Sequence, residues 1–218
     1  MGTLADWQIR AACEGWDTHW QPPGGGGAEP IPDPGPLIHP FDEKLLGPAS
    51  IDMRLGCVFE SPQPMSAWVT RDGTRIGEAA AERTATSWCI GEAAVRRAKG
   101  DGVEVVLEPG QALACISAEY YRVPPALRGT LYTKSSRARE WINHSTASTV
   151  HPGFHGRIAF ELLNEGAHPY TVRTGMRVIQ IAFERMDAVP EHPYFVSAAA
   201  KYRGQIDSVR SADPEGRG

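Results

Sequence analysis

The sequence has few cysteines and none close together. Cys13, Cys57, Cys89 and Cys115 are widely and irregularly spaced, with no C-x-x-C element. This spacing argues against a disulfide scaffold and a cysteine zinc site, and scattered thiols suit a reducing cytoplasm. Long apolar runs are missing as well. No stretch approaches membrane-spanning length, and the opening residues 1–7 hold no apolar core of signal-peptide size. A cytoplasmic location with no membrane partner is the expectation. Charge of one sign is not in large excess either. A formal net charge of −4 over 218 residues gives no overall basic field that would draw the chain to long nucleic acid. A small anion needs only a few local cations, and the net charge leaves that open. Apolar residues at 41% and charged residues at 22% are ordinary for a globular protein of a size that buries one sizeable core.

The chain reads as one domain over 1–218 with additions at 1–47, 61–100 and 194–218. Leu4, Trp7, Ile9, Ala11, Ala12 and Trp16 give a rough apolar stripe that predicts a short helix over 4–15. A Pro/Gly-rich stretch at 21–36 then excludes helix and central strand. Residues 48–60 read as a strand. Residues 79–99 are rich in Ala, Glu and Arg and predict a helix ending near Gly100. From about residue 103 the texture changes to short apolar runs at 103–107, 111–116, 129–133, 156–163, 170–172 and 176–183. Turn signals such as Glu108-Pro109-Gly110, Pro152-Gly153 and Asn164-Glu165-Gly166 separate them. This is the pattern of an all-β barrel or sandwich, so the expectation is a mostly β fold with a short N-terminal helix and a helical insert.

One carboxylate is out of place in that pattern. In Arg157-Ile158-Ala159-Phe160-Glu161-Leu162-Leu163, period two puts Ile158, Phe160 and Leu162 on one face. Glu161 shares the other with Ala159 and Leu163, so both faces read as apolar and the strand as buried on both sides. A carboxylate in such a place is costly unless paired or protonated, and burial of a carboxyl group suits it to pass a proton near neutral pH. A structural ion pair with an arginine is the plain alternative. Two other segments carry weaker signals. Lys134-Ser135-Ser136-Arg137-Ala138-Arg139 joins two hydroxyls to three cations, which fits a phosphate cradle and equally a Ser-capped helix start. Lys201-Tyr202-Arg203-Gly204-Gln205 reads by composition as a solvated tail.

Taken in order, several segments resemble the bacterial dCTP deaminases of the dUTPase-like superfamily. They are Gly47 to Gly56, Lys134 to Arg139, Thr146-Ala147 with His151-Pro152-Gly153-Phe154-His155-Gly156, Phe160 to Asn164, Gly175-Met176 with Gln180, and Pro193-Tyr194 with Ala200 to Gln205. The resemblance covers about residues 4–207. It implies a distorted jelly-roll β fold of the dUTPase-like type, assembled as a homotrimer with active sites between subunits. It also implies zinc-free hydrolytic deamination of a cytosine deoxynucleotide. By that resemblance Glu161 is the acid/base that activates water for attack on C4 of cytosine. Ser135 and Arg139 orient the water and stabilise charge near the leaving ammonia. Ala147 lies near the base, and backbone groups from Ala159 through Phe160 to Glu161 read the pyrimidine edge. Lys134, Ser136, Tyr194, Lys201 and Gln205 hold the triphosphate, whose magnesium is bound mainly through phosphate oxygens and water.

The chain departs from the family at His151, where the resemblance calls for an Asp that contacts the deoxyribose. An imidazole does not replace a carboxylate base, so His151 counts against dUTP hydrolysis. Lys134 stands where arginine is common, and Thr149 where another cation often stands. Zinc-dependent deaminases need His-x-Glu and Pro-Cys-x-x-Cys elements, and none of the seven histidines begins the first. His151 and His155 have helical metal spacing, but Pro152 and Gly153 break any helix between them. His144 and His168 read as surface residues. Two other functions stay open: a dUTPase-like or bifunctional pyrophosphatase, and a non-catalytic nucleotide-binding module.

Overall fold

A computed structural model describes residues 2–14, 35–61, 68–69, 75–76, 82–84, 95–99, 104–144, 147–197, 200, 202 and 204–206. Most of the Pro/Gly-rich stretch and the candidate Lys201 lie outside them. The N-terminal helix α1 spans Asp6–Glu14. The strands are β1 (Ile38–His39), β2 (Ile51–Ser61), β3 (Trp68–Val69), β4 (Arg75–Ile76), β5 (Glu82–Thr84), β6 (Val95–Lys99), β7 (Glu104–Leu107), β8 (Ala112–Arg122) and β9 (Leu127–Thr133). A four-residue helix α2 (Ser135–Ala138) follows, then β10 (Ile142–His144), β11 (Thr149–Val150), β12 (His155–Asn164), β13 (Tyr170–Arg173) and β14 (Arg177–Arg185). This is the mostly β class that the short apolar runs predict.

All the strand pairs are antiparallel, in a large sheet of order β10-β12-β8-β2-β14-β9-β11 and a four-stranded sheet of order β13-β7-β3-β4. Strand β2 turns the corner of the large sheet. Its residues 51–54 pair with β14, and from Leu55 onward it pairs with β8. Gly56 lies at the change-over, where an added Cβ would come within 2.8 Å of the carbonyl oxygens of Ile116 and Ser117. The core gathers Ile51, Met53, Leu55, Phe59, Leu113, Tyr121, Phe160, Leu162 and Phe183, all at most 1% exposed. Burying each of these side chains contributes about 1.5–3 kcal/mol.

Two expectations change. Helix α1 buries Ile9 and Cys13 against this core, with Leu4 just before it, but Trp7, placed in the apolar stripe by sequence, is 63% exposed. The helix over 79–99 is not found among the described residues. Glu82–Thr84 and Val95–Lys99 are strands instead, paired with each other, and β6 extends the sheet along β2 with Phe59 opposite Ala98. An available strand edge outweighs a modest helix propensity in Ala, Glu and Arg.

Between β8 and β12 the register shifts: Arg157 faces Tyr120, but Ala159 faces Ile116. Ser117, fully buried in this bulge, accepts a hydrogen bond from the Ile158 N–H at 2.8 Å and donates to the Glu119 carbonyl at 2.7 Å. The polar groups released by the bulge are thereby satisfied, and the strand is re-aimed just before Glu161.

Candidate active site

Burial alternates strictly along β12. Gly156, Ile158, Phe160, Leu162 and Asn164 face inward, while Arg157, Ala159, Glu161 and Leu163 are half-buried. The expectation of a strand buried on both faces is therefore corrected for Glu161. Its face lines a cavity of about 360 Å³ instead of packing against a second layer. Ala159 and Leu163 made that face look apolar. Volumes of this order hold a small ligand.

The cavity walls are Leu131, Ala147, Thr149, Val150, His151, Phe154, Ile158, Ala159, Glu161, Tyr194, Tyr202 and Gln205. Six residues singled out from the sequence thus meet in one chain: Ala147, His151, Ala159, Glu161, Tyr194 and Gln205. Among the described residues, Glu161 is the only carboxylate on these walls. The thiol of Cys115, on the strand behind it, is held far above its ordinary pKa by burial and secondarily by the Glu161 charge, so it is no nucleophile. Phe160 turns its ring into the core, leaving only its backbone for the site. Strand β10 pairs with β12 only from Leu162 to Asn164. On that side the backbone of residues 159–161 has no strand neighbour among the described residues.

His144 is a residue the sequence reading put on the surface. It is half-buried, its ring edge-on to Phe160 at 6.4 Å, with Nδ1 3.2 Å from the Glu161 carbonyl oxygen. Its backbone N–H donates to the Thr133 hydroxyl at 2.7 Å, which ties β10 to β9. Apart from the histidine itself, no local sequence signal marks this contact, because it joins residues 17 positions apart.

The opposite wall is made by the turn after β11 and the C-terminal segment. The His151 ring stacks on Tyr194 at 5.7 Å and 5° between planes, and Tyr194 also leans on Phe154 at 5.7 Å. Residues 202 and 204–206 return as a strap. Tyr202 N–H donates to the Tyr194 hydroxyl at 3.1 Å, Gly204 N–H to the His155 carbonyl at 3.0 Å, and Arg157 N–H to the Gln205 carbonyl at 2.7 Å. Gln205, a wall residue, is 9% exposed, and its Nε2 is buried with no hydrogen-bond partner among the described residues. A buried donor left unmade costs about 1–3 kcal/mol, and a bound ligand with an acceptor there recovers it.

The other candidates lie apart from this cavity. Ser135, Ser136 and Arg139 are exposed on and just after α2, and Lys134 is bonded through Nζ to buried Asp52 at 2.5 Å. They are not among the cavity walls of the same chain.

A protein-family model described as dCTP deaminase-like matches residues 34–186, which include α2, β12 and Glu161. This chain belongs to the dCTP deaminase-like family. Among its relatives, the proteins named "dCTP deaminase, dUMP-forming" of Mycobacterium ulcerans and Mycobacterium tuberculosis are each 36% identical over 170 residues. The matched region covers 77% of this chain and 82% of theirs. The solved structure of the 2′-deoxycytidine 5′-triphosphate deaminase from Agrobacterium tumefaciens shares the fold, with a TM-score of 0.53 and 22% identity. That match covers 85% of this chain and 48% of the Agrobacterium one. Tyr194 and Gln205 fall beyond the matched family region, so their part of the second wall rests on this chain's own geometry. No helix among the described residues is long and apolar enough to cross a membrane.

Proposed function

We propose that this family member deaminates dCTP hydrolytically, with Glu161 moving the proton. Water adds to C4 of the cytosine ring as Glu161 carries one of its protons to N3; Glu161 then carries the remaining hydroxyl proton to the amino group, and ammonia leaves as the C4 carbonyl forms. The observation that carries this reading is the Glu161 carboxylate at the wall of a ligand-sized cavity, where it meets Ala147, His151, Tyr194 and Gln205. Ala147 and the backbone of Ala159 to Glu161 bound the base. Tyr194, Gln205 and Lys201 hold the phosphates, and His151 stands at the sugar. The donor set fits magnesium brought in by the triphosphate, since the walls offer neutral donors and one carboxylate already committed to proton transfer. When bound, the ion neutralises phosphate charge.

Ser135, Ser136 and Arg139 complete the site from a neighbouring copy, in a homotrimer with sites between subunits. Their exposure and their place outside the cavity of their own chain support this. A cytosolic setting follows from the scattered thiols.

The test is Glu161→Gln. It should fold and assemble as the natural protein does and lose ammonia release from dCTP by at least about a hundredfold. Near-normal turnover would remove Glu161 from the mechanism, and failure to fold would favour a structural ion pair. A second reading, dCTP carried on to dUMP with loss of pyrophosphate, has the names of the mycobacterial relatives behind it. His151, standing at the sugar in place of the Asp that the resemblance calls for, favours stopping at dUTP.

A further inference from the structure

Three cations stand within six residues at 134–139, and the structure gives them unequal employment. Lys134 is fixed to Asp52, which Arg177 also approaches at 3.5 Å. Arg137 is fixed to a different partner set. Its NH1 donates to the Tyr170 hydroxyl at 2.6 Å and to Glu140 Oε2 at 2.5 Å, and the Tyr170 hydroxyl donates to the same Glu140 oxygen at 2.6 Å. The three groups close a ring of charge-assisted hydrogen bonds, the strong kind. Burial raises the Tyr170 pKa, with the Glu140 hydrogen bond next, so the phenol stays a donor. Burial disfavours the Arg137 charge, but its bonds to Tyr170 and Glu140 outweigh that and raise its pKa.

The ring joins two sheets. Helix α2 leaves β9 of the large sheet, whereas Tyr170 begins β13 of the four-stranded one. A four-residue helix has almost no stability of its own. Here it is pinned at its start by Lys134, whose backbone N–H also donates to the Val178 carbonyl at 2.8 Å, and at its end by Arg137 and Glu140. Trp141 follows with φ of 61°, an outlier for a bulky residue, which persists only where the surroundings over-determine it. The side chains of Ser135, Ser136 and Arg139 on this bracket are exposed.

We infer that the Arg137–Glu140–Tyr170 ring is a positioning device that holds Ser135 and Arg139 in the geometry the reaction needs. The inference rests on the deaminase reading. Arg137 is then not a phosphate ligand, although its place between two candidate site residues suggests one; it acts through its neighbours. Misplacing catalytic groups by about 1 Å costs up to about a hundredfold in rate.

Tyr170→Phe removes one hydroxyl and leaves the ring packing in place. In the full-length protein it should lower kcat for ammonia release from dCTP about ten- to a hundredfold, with KM changed less than about threefold. A merely structural tyrosine would lower the melting temperature and leave kcat at 25 °C alone. Arg137→Lys, which keeps a donor to Glu140, should retain more kcat than Arg137→Met. Hydrogen exchange reads the bracket without any substrate. Amides of 134–141 should exchange faster in Tyr170→Phe while those of β12 do not. Unchanged kcat with a lowered melting temperature, or unchanged exchange at 134–141, would overturn the inference. A natural protein that releases no ammonia from dCTP would instead sink the deaminase reading, and the exchange measurement would still judge the bracket.

Discussion

The imidazole of His151 lies flat against Tyr194 at the cavity wall, where it offers one hydrogen bond per ring nitrogen and no carboxylate. Activating a second water for attack on the phosphate chain needs a base beside that chain, and a positioned base is worth about 10²–10⁴ in rate. The natural protein should therefore release pyrophosphate from dUTP at less than about one-hundredth of its rate of ammonia release from dCTP. Comparable rates in a paired assay for the two products would favour the dUMP-forming reading. At this scale the sequence was informative where chemistry is local. A carboxylate at an alternating strand position marked Glu161, and a ring in place of an acid marked His151. It misled where environment decides. Ala159 and Leu163 gave the Glu161 face an apolar look, although that face lines a cavity. His144 was misplaced on the surface, since its partner on β12 is distant in sequence.

Among the elements, the strands were legible and the insert was not. Alternation with turn residues between runs anticipated β7, β9, β12, β13 and β14 within a few residues, and the start of β8 but not its continuation to Arg122, because each has one face in the core. The pairing of β6 with β2 depends on a strand edge that no local pattern displays. The C-terminal strap shows the same division. Its residues were noticeable, but its seat on Gly156 was not. Gly156 has φ of 142°, and an added Cβ would stand 3.0 Å from the Gln205 nitrogen and 3.1 Å from its carbonyl oxygen. Any side chain there strains the backbone and pushes the strap away from β12. Gly156→Ala should raise KM for dCTP about tenfold or more while kcat falls less, because the strap carries binding groups and Glu161 lies outside it. Truncation after Ala199 should do the same more severely. An unchanged KM in both variants would show that the strap takes no part in holding the nucleotide.

At the level of the molecule, the sequence indicated a mostly β chain but not the order of its strands, which follows from where β2 changes partners. It also left open how α2 and the cavity meet. In one chain they do not: Glu161 lines the cavity, and Arg139 is exposed elsewhere. Sites shared between copies make a quantitative prediction. Glu161→Gln and Arg139→Ala should each be nearly inactive as homomers. Co-expressed in equal amounts, they should form mixed trimers in which some sites take Glu161 from one chain and Arg139 from its neighbour, both intact. Random assembly makes about one site in four whole, so the mixture should recover about a quarter of natural activity. If each chain instead supplied both residues to its own site, every site would carry one lesion. The mixture would then be as inactive as its parents, while sedimentation still reported the assembly unchanged. That outcome would remove the shared site and leave Arg139 to act, if at all, within its own chain.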